Sequence, residues 1–450
     1  MKKLFGTDGV RGPAGEFPLD KKTVFTIGRS LARQLRDNLG REPRFVTGRD
    51  TRESGSWIEE AFHAGAHAEG AVCESAGIIT TPGVAFLTRK FEFDAGIVIS
   101  ASHNPFEDNG IKIFSPSGKK LDESTERTIE KDIFETPEYT AQRRSTDVGA
   151  DLSRAEEFRE SYLDHLASQF DDLDLKNFRM VVDCANGAAS HLAPQLFARL
   201  GADVTAINDR PDGKNINKDC GSLHLEKLQA HVIREKADFG VAFDGDADRS
   251  LFVDEKGNLV DGDATLWILA RYLKSHGQLN GNAVVATVMS NIGLEIALGS
   301  RDISLSRTAV GDKYVLEELI NSNSSIGGEQ SGHIILPAKS LVGDGMMTAL
   351  FLLEAMYEKS RSLSEMTAGF TRYPQVLVNV RVNNKLPFDE VPEITEAARQ
   401  LESELDGRGR LLLRYSGTEN LARVMIEGKD QAEIETQANA LAEVIRSSLA

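Results

Sequence analysis

The sequence predicts an α/β fold repeated over several domains. Three observations carry this. Short apolar runs of strand length recur along the chain, and most are followed by a polar loop and then a helical pattern. At 450 residues the chain is too long for one hydrophobic core. The runs are apolar nearly throughout, which implies sheets covered on both faces, with functional loops at the carboxyl ends of the strands.

In chain order the strand candidates are Arg44 to Asp50, "AGIVIS", "RMVVDCANG", "FGVAFDGD", "AVVATVMSN" and "GRLLLRYSG", each ending in Gly, Asp, Ser or Asn. The first is followed by "SGSWIEEAFHAGAHAEGA", where Ser56 and Glu59 have capping-box spacing and Trp57, Ile58, Ala61, Phe62 and Gly65 share one side. The charge-mixed stretch Glu135 to Asp151 lacks apolar periodicity and marks a first boundary. A second falls just past the hairpin "RSLFVDEKGNLVDGD", where a Lys-Gly-Asn turn joins two short strands before the helix "ATLWILARYLKSHG". A third lies near "FTRYPQVLVNVRV", where alternating residues begin. The expected domains are 1–150, 151–255, 256–370 and 371–450.

Composition narrows the function. The net charge of −17 opposes nucleic-acid binding, which needs a basic footprint, so any anionic ligand must be met by a few local loops. No apolar stretch approaches the roughly 20 residues of a membrane span, and no hydrophobic signal core follows "MKKLFGTDGVRG". Cys73, Cys184 and Cys220 form neither a CxxC pair nor a disulfide framework; each reads as a small buried residue in a reducing cytoplasm.

Four loops can carry chemistry. In "FGVAFDGDADRSLFV", Asp244, Asp246 and Asp248 alternate around a glycine, and three converging carboxylates call for a divalent cation with oxygen ligands. An EF-hand fails there, because Arg249 occupies the glycine position and strands flank the loop; a phosphatase using Asp244 as nucleophile stays open. In "ISASHNPFEDNGIKIF", Ser102 stands at a strand end as nucleophile or phosphate carrier, with His103 and Lys112 to move protons or offset charge. "GGEQSGH" offers Glu329, Gln330, Ser331 and His333 among glycines, a set suited to sugar hydroxyls. "RYSGTEN" places Arg414, Ser416, Gly417 and Thr418 near Arg423, donors suited to a phosphate. Arg49 and Arg52 in "GRDTRESG" either assist the cleft or fix their loop beside Asp50 and Glu53.

Together with "FGTDGVRG" and "TAVGDKYV", these loops occur in an order that resembles the α-D-phosphohexomutase superfamily across essentially the whole chain. The resemblance implies four domains around a central cleft, three related α/β domains and a smaller C-terminal α+β domain. It implies Mg²⁺ on Asp244, Asp246 and Asp248, a phosphorylated Ser102 as a further ligand, and counter-charge from Lys112, Arg249, Arg11 and His103. It further implies sugar contacts from Glu329 and Ser331 and a phosphate grip from Arg414, Ser416, Gly417, Thr418 and Arg423. The implied reaction moves phosphate between the 6- and 1-positions of a hexosamine through a hexosamine 1,6-bisphosphate. Gln330 is the expected position of sugar choice: relatives acting on glucose or mannose phosphates typically show Met in that loop, so "GEQSGH" together with "FGTDGVRG" makes glucosamine phosphates the expected substrate and glucose or mannose phosphates the alternative. Lys112 is the expected proton exchanger, with His103 as alternative; a cytoplasmic homodimer is expected.

Overall fold

The computed structural model describes residues 3–6, 8–135, 150–416 and 420–449. Four sheets follow one another in chain order. The first holds β1 (Val10–Pro13), β2 (Arg44–Arg49), β3 (Val72–Ile78), β4 (Ala95–Ile99) and β5 (Asp108–Phe114) in the order β1-β5-β4-β2-β3. β2 runs parallel to both β3 and β4, because helices α2 (Gly55–His67) and α3 (Thr81–Lys90) make the crossovers; α1 (Lys21–Leu39) precedes β2. The short connection from β4 to β5 cannot make a crossover, so that pair is antiparallel and its loop projects from the end of β4. Helix α4 (Glu123–Glu135) closes this part.

The second sheet has β6 (Arg179–Asp183), β7 (Asp203–Ile207), β8 (Phe239–Phe243), β9 (Ser250–Asp254) and β10 (Leu259–Val260), ordered β10-β9-β8-β6-β7, with α5 (Ala155–Ala167), α6 (Ala189–Arg199) and α7 (Glu226–Glu235). The expected hairpin is β9 with β10, so this sheet runs through Val260. The third comprises β11 (Ala283–Thr287), β12 (Ser304–Thr308), β13 (Gly327–Gly328) and β14 (Ile334–Ile335), ordered β12-β11-β13-β14. With it come α8 (Gly262–Ser275), α9 (Ile292–Gly299), α10 (Asp312–Asn321), α11 (Gly345–Lys359) and α12 (Leu363–Met366). The fourth, β15 (Gln375–Arg381), β16 (Arg410–Tyr415) and β17 (Leu421–Glu427), is antiparallel with β17 in the middle, beside α13 (Pro392–Leu405) and α14 (Gln431–Leu449).

The described residues gather into two compact units, one within 1–289 and 305–368, the other within 290–304 and 369–450. In the first, Phe45, Phe62, Ile97 and Ile99 are fully buried around the first sheet, as uninterrupted apolar strands require. In the second, Ile394, Val424, Ile426 and Ile445 form a separate core. The boundary expected around 136–149 lies outside the described residues. Among the described residues no helix is long and apolar enough to cross a membrane. All three cysteines are free and buried, and burial raises each thiol above its ordinary pKa.

One local expectation fails. Ser56 and Glu59 do not form a capping box: α2 starts at Gly55, so Ser56 already lies inside the helix. Glu59 turns inward instead, where Oε1 accepts hydrogen bonds from Thr47 Oγ1 at 2.5 Å and Ser75 Oγ at 2.6 Å. Thr47 Oγ1, having donated to Glu59, accepts from His63 Nε2 at 3.0 Å, which fixes that imidazole as the Nε2–H tautomer. His63 is fully buried. Burial pushes its pKa down to about 4, although Glu59 opposes the shift.

The unfolded imidazole takes its proton near pH 6.5 whereas the folded one waits until about 4, so the unfolded chain binds more protons between those values. Acid therefore destabilises this domain in that window, by up to ~3 kcal/mol from His63 alone. Urea midpoints followed by fluorescence should fall from pH 6.5 to 4 more steeply in wild type than in His63→Gln. Equal slopes would refute the assignment.

Candidate active site

The loop after β4 is built to hold one serine in an uncommon backbone conformation. Ser102 has φ +54°, in the left-handed region that L-residues seldom occupy. Its neighbours secure it. Ser100 Oγ donates to Asp50 Oδ2 at 2.6 Å and accepts from the Ser102 backbone N–H at 2.9 Å. The buried Arg52 guanidinium donates to the carbonyls of Ser102 (3.0 Å), Asn104 (2.8 Å) and Asp108 (3.0 Å) and is paired with Asp50 at 2.9 Å. Asn217 Nδ2, from beyond the second sheet's β7, donates to the same Ser102 carbonyl at 2.9 Å.

Facing this loop, the turn after β8 brings Asp244, Asp246 and Asp248 together, with one oxygen of each within 4.8 Å of the others and all three residues buried. Ala247, at φ +55°, makes the bend, and its N–H donates to the Asp244 carbonyl at 3.1 Å. Glycine at 245 is required: a Cβ there would stand 2.5 Å from the Ser102 carbonyl oxygen. Asp244 Oδ2 accepts from Ser102 Oγ at 2.5 Å. Lys112, inside β5, places Nζ 2.8 Å from Asp246 Oδ2, 3.1 Å from Asp248 Oδ2 and 3.0 Å from Asp8 Oδ2. Thr81 Oγ1, at the start of α3, also donates to Asp246 Oδ2.

The charges pull the acids apart. Burial, then the neighbouring Asp248 and Asp246, raises Asp244 well above its ordinary value. Burial opposes ionisation of Asp248 too, yet Lys112, His333 and Arg249 hold it well below. Burial would lower Lys112, but Asp246, Asp248 and Asp8 keep it protonated. Asp246 Oδ1 and Asp248 Oδ1 are buried without a hydrogen-bond partner. Two orphaned carboxylate oxygens beside a third acid fit a hard divalent cation, which would satisfy them together.

Beside the acids opens a cavity of about 430 Å³, lined among others by Asp8, Arg11, Arg249, Asp312, Glu329 and His333. Glu329 Oε1 accepts from the Gly311 N–H at 3.0 Å, joining "GGEQSGH" to "TAVGDKYV". Ser331 Oγ lies 3.4 Å from Glu329 Oε2. Gly332, at φ +90°, lies against Ser250, whose carbonyl oxygen would be 2.2 Å from an added Cβ. His333 Nε2 accepts from the Gly343 N–H at 3.2 Å while Nδ1 stands 3.7 Å from Asp248 Oδ1, so it braces two loops. His103 lies 3.3 Å from both Ser102 Oγ and Arg249 Nη1; burial, then Arg249 and Arg11, pushes its pKa to about 4. Arg11 Nη1 donates to the Ala101 carbonyl at 3.3 Å.

The second unit carries its own basic pair. Arg414 on β16 is the direct cross-strand partner of Arg423 on β17. Like charges placed opposite each other are unfavourable without an anion, and burial, then Arg423, lowers the Arg414 pKa. Ser416 follows at the strand end, its carbonyl accepting from Lys385 Nζ at 2.7 Å. Gly417 and Thr418 lie outside the described residues.

Of the two roles open to Arg49 and Arg52, the structure gives Arg52 the fixing of the serine loop through Asp50; Glu53 turns instead to Lys214 at 3.4 Å, and Arg49 pairs with Glu59. Sequence reasoning missed Asp8, Thr81, Asn217 and Asp312. Asp8 and Asp312 share Lys120 Nζ at 2.6 Å each. Both lie in motifs already singled out, "FGTDGVRG" and "TAVGDKYV", which was the available signal; Thr81 and Asn217 had none.

Comparison with known proteins gives one consistent result. Models of the phosphoglucomutase/phosphomannomutase family match in four parts: alpha/beta/alpha domain I over residues 2–140, domain II over 160–257, domain III over 261–373 and the C-terminal domain over 377–444. Phosphoglucosamine mutases from Solibacter usitatus and a Thermoanaerobacter species are 48% and 49% identical, over 100% of this chain and 99% and 100% of theirs. Among solved structures, a phosphoglucomutase/phosphomannomutase family protein from Burkholderia thailandensis superposes with TM-score 0.78 at 22% identity, over 99% of this chain and 97% of that one. An Aspergillus fumigatus N-acetylphosphoglucosamine mutase, in complex with GlcNAc-6P and magnesium, gives 0.68 at 19%, over 99% and 96%.

Lys112 is the counter-charge for the buried Asp246 and Asp248 and for the partly exposed Asp8, so its removal should be expensive. Lys112→Met is expected to lose roughly 3–5 kcal/mol of stability in metal-free buffer. The deficit should shrink on acidification, as the stranded acids protonate. A melting temperature equal to wild type at neutral pH would show that Lys112 does not carry this charge.

Proposed function

The chain belongs to the phosphoglucomutase/phosphomannomutase family, and on that premise we propose how its residues perform the isomerase reaction of a phosphoglucosamine mutase, interconverting glucosamine 6-phosphate and glucosamine 1-phosphate. The observation that carries the reading is the contact of Ser102 Oγ with Asp244, against an acidic triplet that has two unpartnered oxygens. Ser102 is the phosphoryl carrier. Asp244, Asp246 and Asp248 would hold Mg²⁺, which when bound offsets the phosphoserine charge and spreads charge on the transferring group.

Phosphorylated Ser102 gives its phosphoryl group to the free hydroxyl end of the substrate: the Oγ–P bond breaks, the sugar O–P bond forms, and the hydroxyl proton leaves. The resulting hexosamine 1,6-bisphosphate turns around and returns its other phosphate to Ser102, which regenerates the enzyme and completes the exchange. Neutral His103 is placed to accept the proton, and Lys112, held as a cation, to supply one or to stabilise charge. Arg249 and Arg11 supply further counter-charge. Glu329 and Ser331 orient sugar hydroxyls in either direction, while Arg414, Ser416, Gly417, Thr418 and Arg423 grip the phosphate that is not reacting. His333 braces the glycine loop. We propose four domains near 1–150, 151–255, 256–370 and 371–450, the second extended through the β9–β10 hairpin to Val260. We place the enzyme in the cytoplasm as a homodimer acting on a phosphosugar, with neither nucleic acid nor membrane as partner.

Intact mass of the purified protein should reveal one phosphoryl group that is stable to hydroxylamine and absent from Ser102→Ala. That variant should lose turnover of glucosamine 6-phosphate by on the order of 10³-fold or more, and a chelator should silence wild type until Mg²⁺ is restored. Full activity in Ser102→Ala, or an acyl phosphate destroyed by hydroxylamine, would transfer the role to Asp244. Gln330, whose amide donates to Asp263 Oδ2 at 3.2 Å, is the specificity position. Gln330→Met should raise the rate on glucose 1-phosphate relative to the glucosamine compound by about tenfold; an unchanged ratio would remove it from that role.

A further inference from the structure

A second cavity, of about 390 Å³, lies within the first unit, away from the acidic triplet. Its walls come from the C-terminal half of α3, the end of α5 and the segment before α11. Three cations line it: Arg89 and Lys90 in the last turn of α3, and Lys339. Among the described residues none of the three is in an ion pair; Lys339 Nζ meets only the neutral Gln169 Oε1, at 2.9 Å. In a chain with 69 acidic and 52 basic residues, three basic groups around one cavity with no ion pair among the described residues, Glu354 acting on Lys339 through its charge alone, are a departure that calls for an anion. A helix C-terminus accounts for one or two of these charges, but not for Lys339, which comes from another segment.

The second feature is an aromatic pair. Phe86 and His165 both line the cavity and stack face to face, centroids 4.3 Å apart and planes 18° from parallel. Burial, then the charges of Arg89, Lys339 and Lys90, lowers the His165 pKa, so this ring adds no positive charge at neutral pH. The cavity's one carboxylate, Asp344, is already engaged: its Oδ2 accepts from Tyr162 O–H at 2.7 Å and its Oδ1 from the Met347 N–H at 3.0 Å.

We propose that this cavity is a nucleotide site, taking a flat heteroaromatic ring against Phe86 and His165 and a diphosphate on Arg89, Lys90 and Lys339. Its volume falls in the range of small-ligand pockets, and its lining supplies both halves of such a ligand. The occupant would bear on the catalytic loop from two sides. Helix α3 ends in the cavity and begins at Thr81, which holds Asp246. The segment carrying Asp344 continues to Gly345, whose N–H donates to the Ala247 carbonyl at 3.0 Å, inside the acidic turn.

The test is calorimetric titration of the whole protein with ADP and with pyrophosphate, in the presence of excess glucosamine 6-phosphate. ADP should bind saturably at one site, and Arg89→Ala/Lys90→Ala and Lys339→Ala should each weaken it by about tenfold or more. Neither variant touches the catalytic residues, so mutase turnover without ADP should be unchanged. Phe86→Leu should weaken ADP but leave pyrophosphate as in wild type. Absence of saturable ADP binding at millimolar concentration, equal affinity in the charge variants, or displacement of ADP by the sugar phosphate would overturn the proposal. Binding is read without turnover, so its failure is separate from any failure of the mutase assignment.

Discussion

Three carboxylates held in one buried turn are the constraint around which the first unit is arranged. At an effective dielectric constant near 20, unit charges at 4.8 Å repel by roughly 3 kcal/mol per pair, and desolvation adds to that. A chain carrying such a cluster must answer it from several directions. Lys112 enters from the first sheet, Thr81 from the start of α3, Ser102 from the loop after β4, and Arg249 through its backbone N–H at 3.3 Å. What remains unanswered, one oxygen each on Asp246 and Asp248, is the part left for a cation. The fold supplies protein donors to the outer oxygens and leaves inner ones bare, which is how a cation site differs from an ordinary buried salt-bridge network.

The same logic explains the serine. A left-handed backbone at a residue with a side chain is unfavourable, and it persists because Arg52, Asn217 and Ser100 fix the carbonyls and the amide around it. Ser102 Oγ is thereby set against Asp244. Position is secured by backbone contacts, while charge is handled by side chains.

Much of this was legible in the chain because strand ends advertise themselves. Apolar runs closing on "SASHNP" and "DGDADR" located Ser102 and the acids, since a buried strand must stop where polar groups begin. The helix after the first strand was legible as a helix but not as a partner. Ser56 and Glu59 show why: their spacing satisfied a local rule, yet the carboxylate was worth more to Thr47 and Ser75 inside than to a helix end outside. Asn217 contacts Ser102 across 115 positions of sequence, and no spacing rule reaches that far. Arg414 and Arg423 were named from one short motif, "RYSGTEN" and the residues after it, while their direct cross-strand pairing is visible only in the sheet.

The glycines at 245 and 332 carry a further meaning. Where each sits, the main chain of one loop rests on the main chain of another, so these loops cannot be shifted by a side-chain change without prying the backbones apart. The acidic turn and the glycine loop therefore keep their relative position through backbone contact, and a substitution at the cavity rim can reshape the cavity without disturbing that seat.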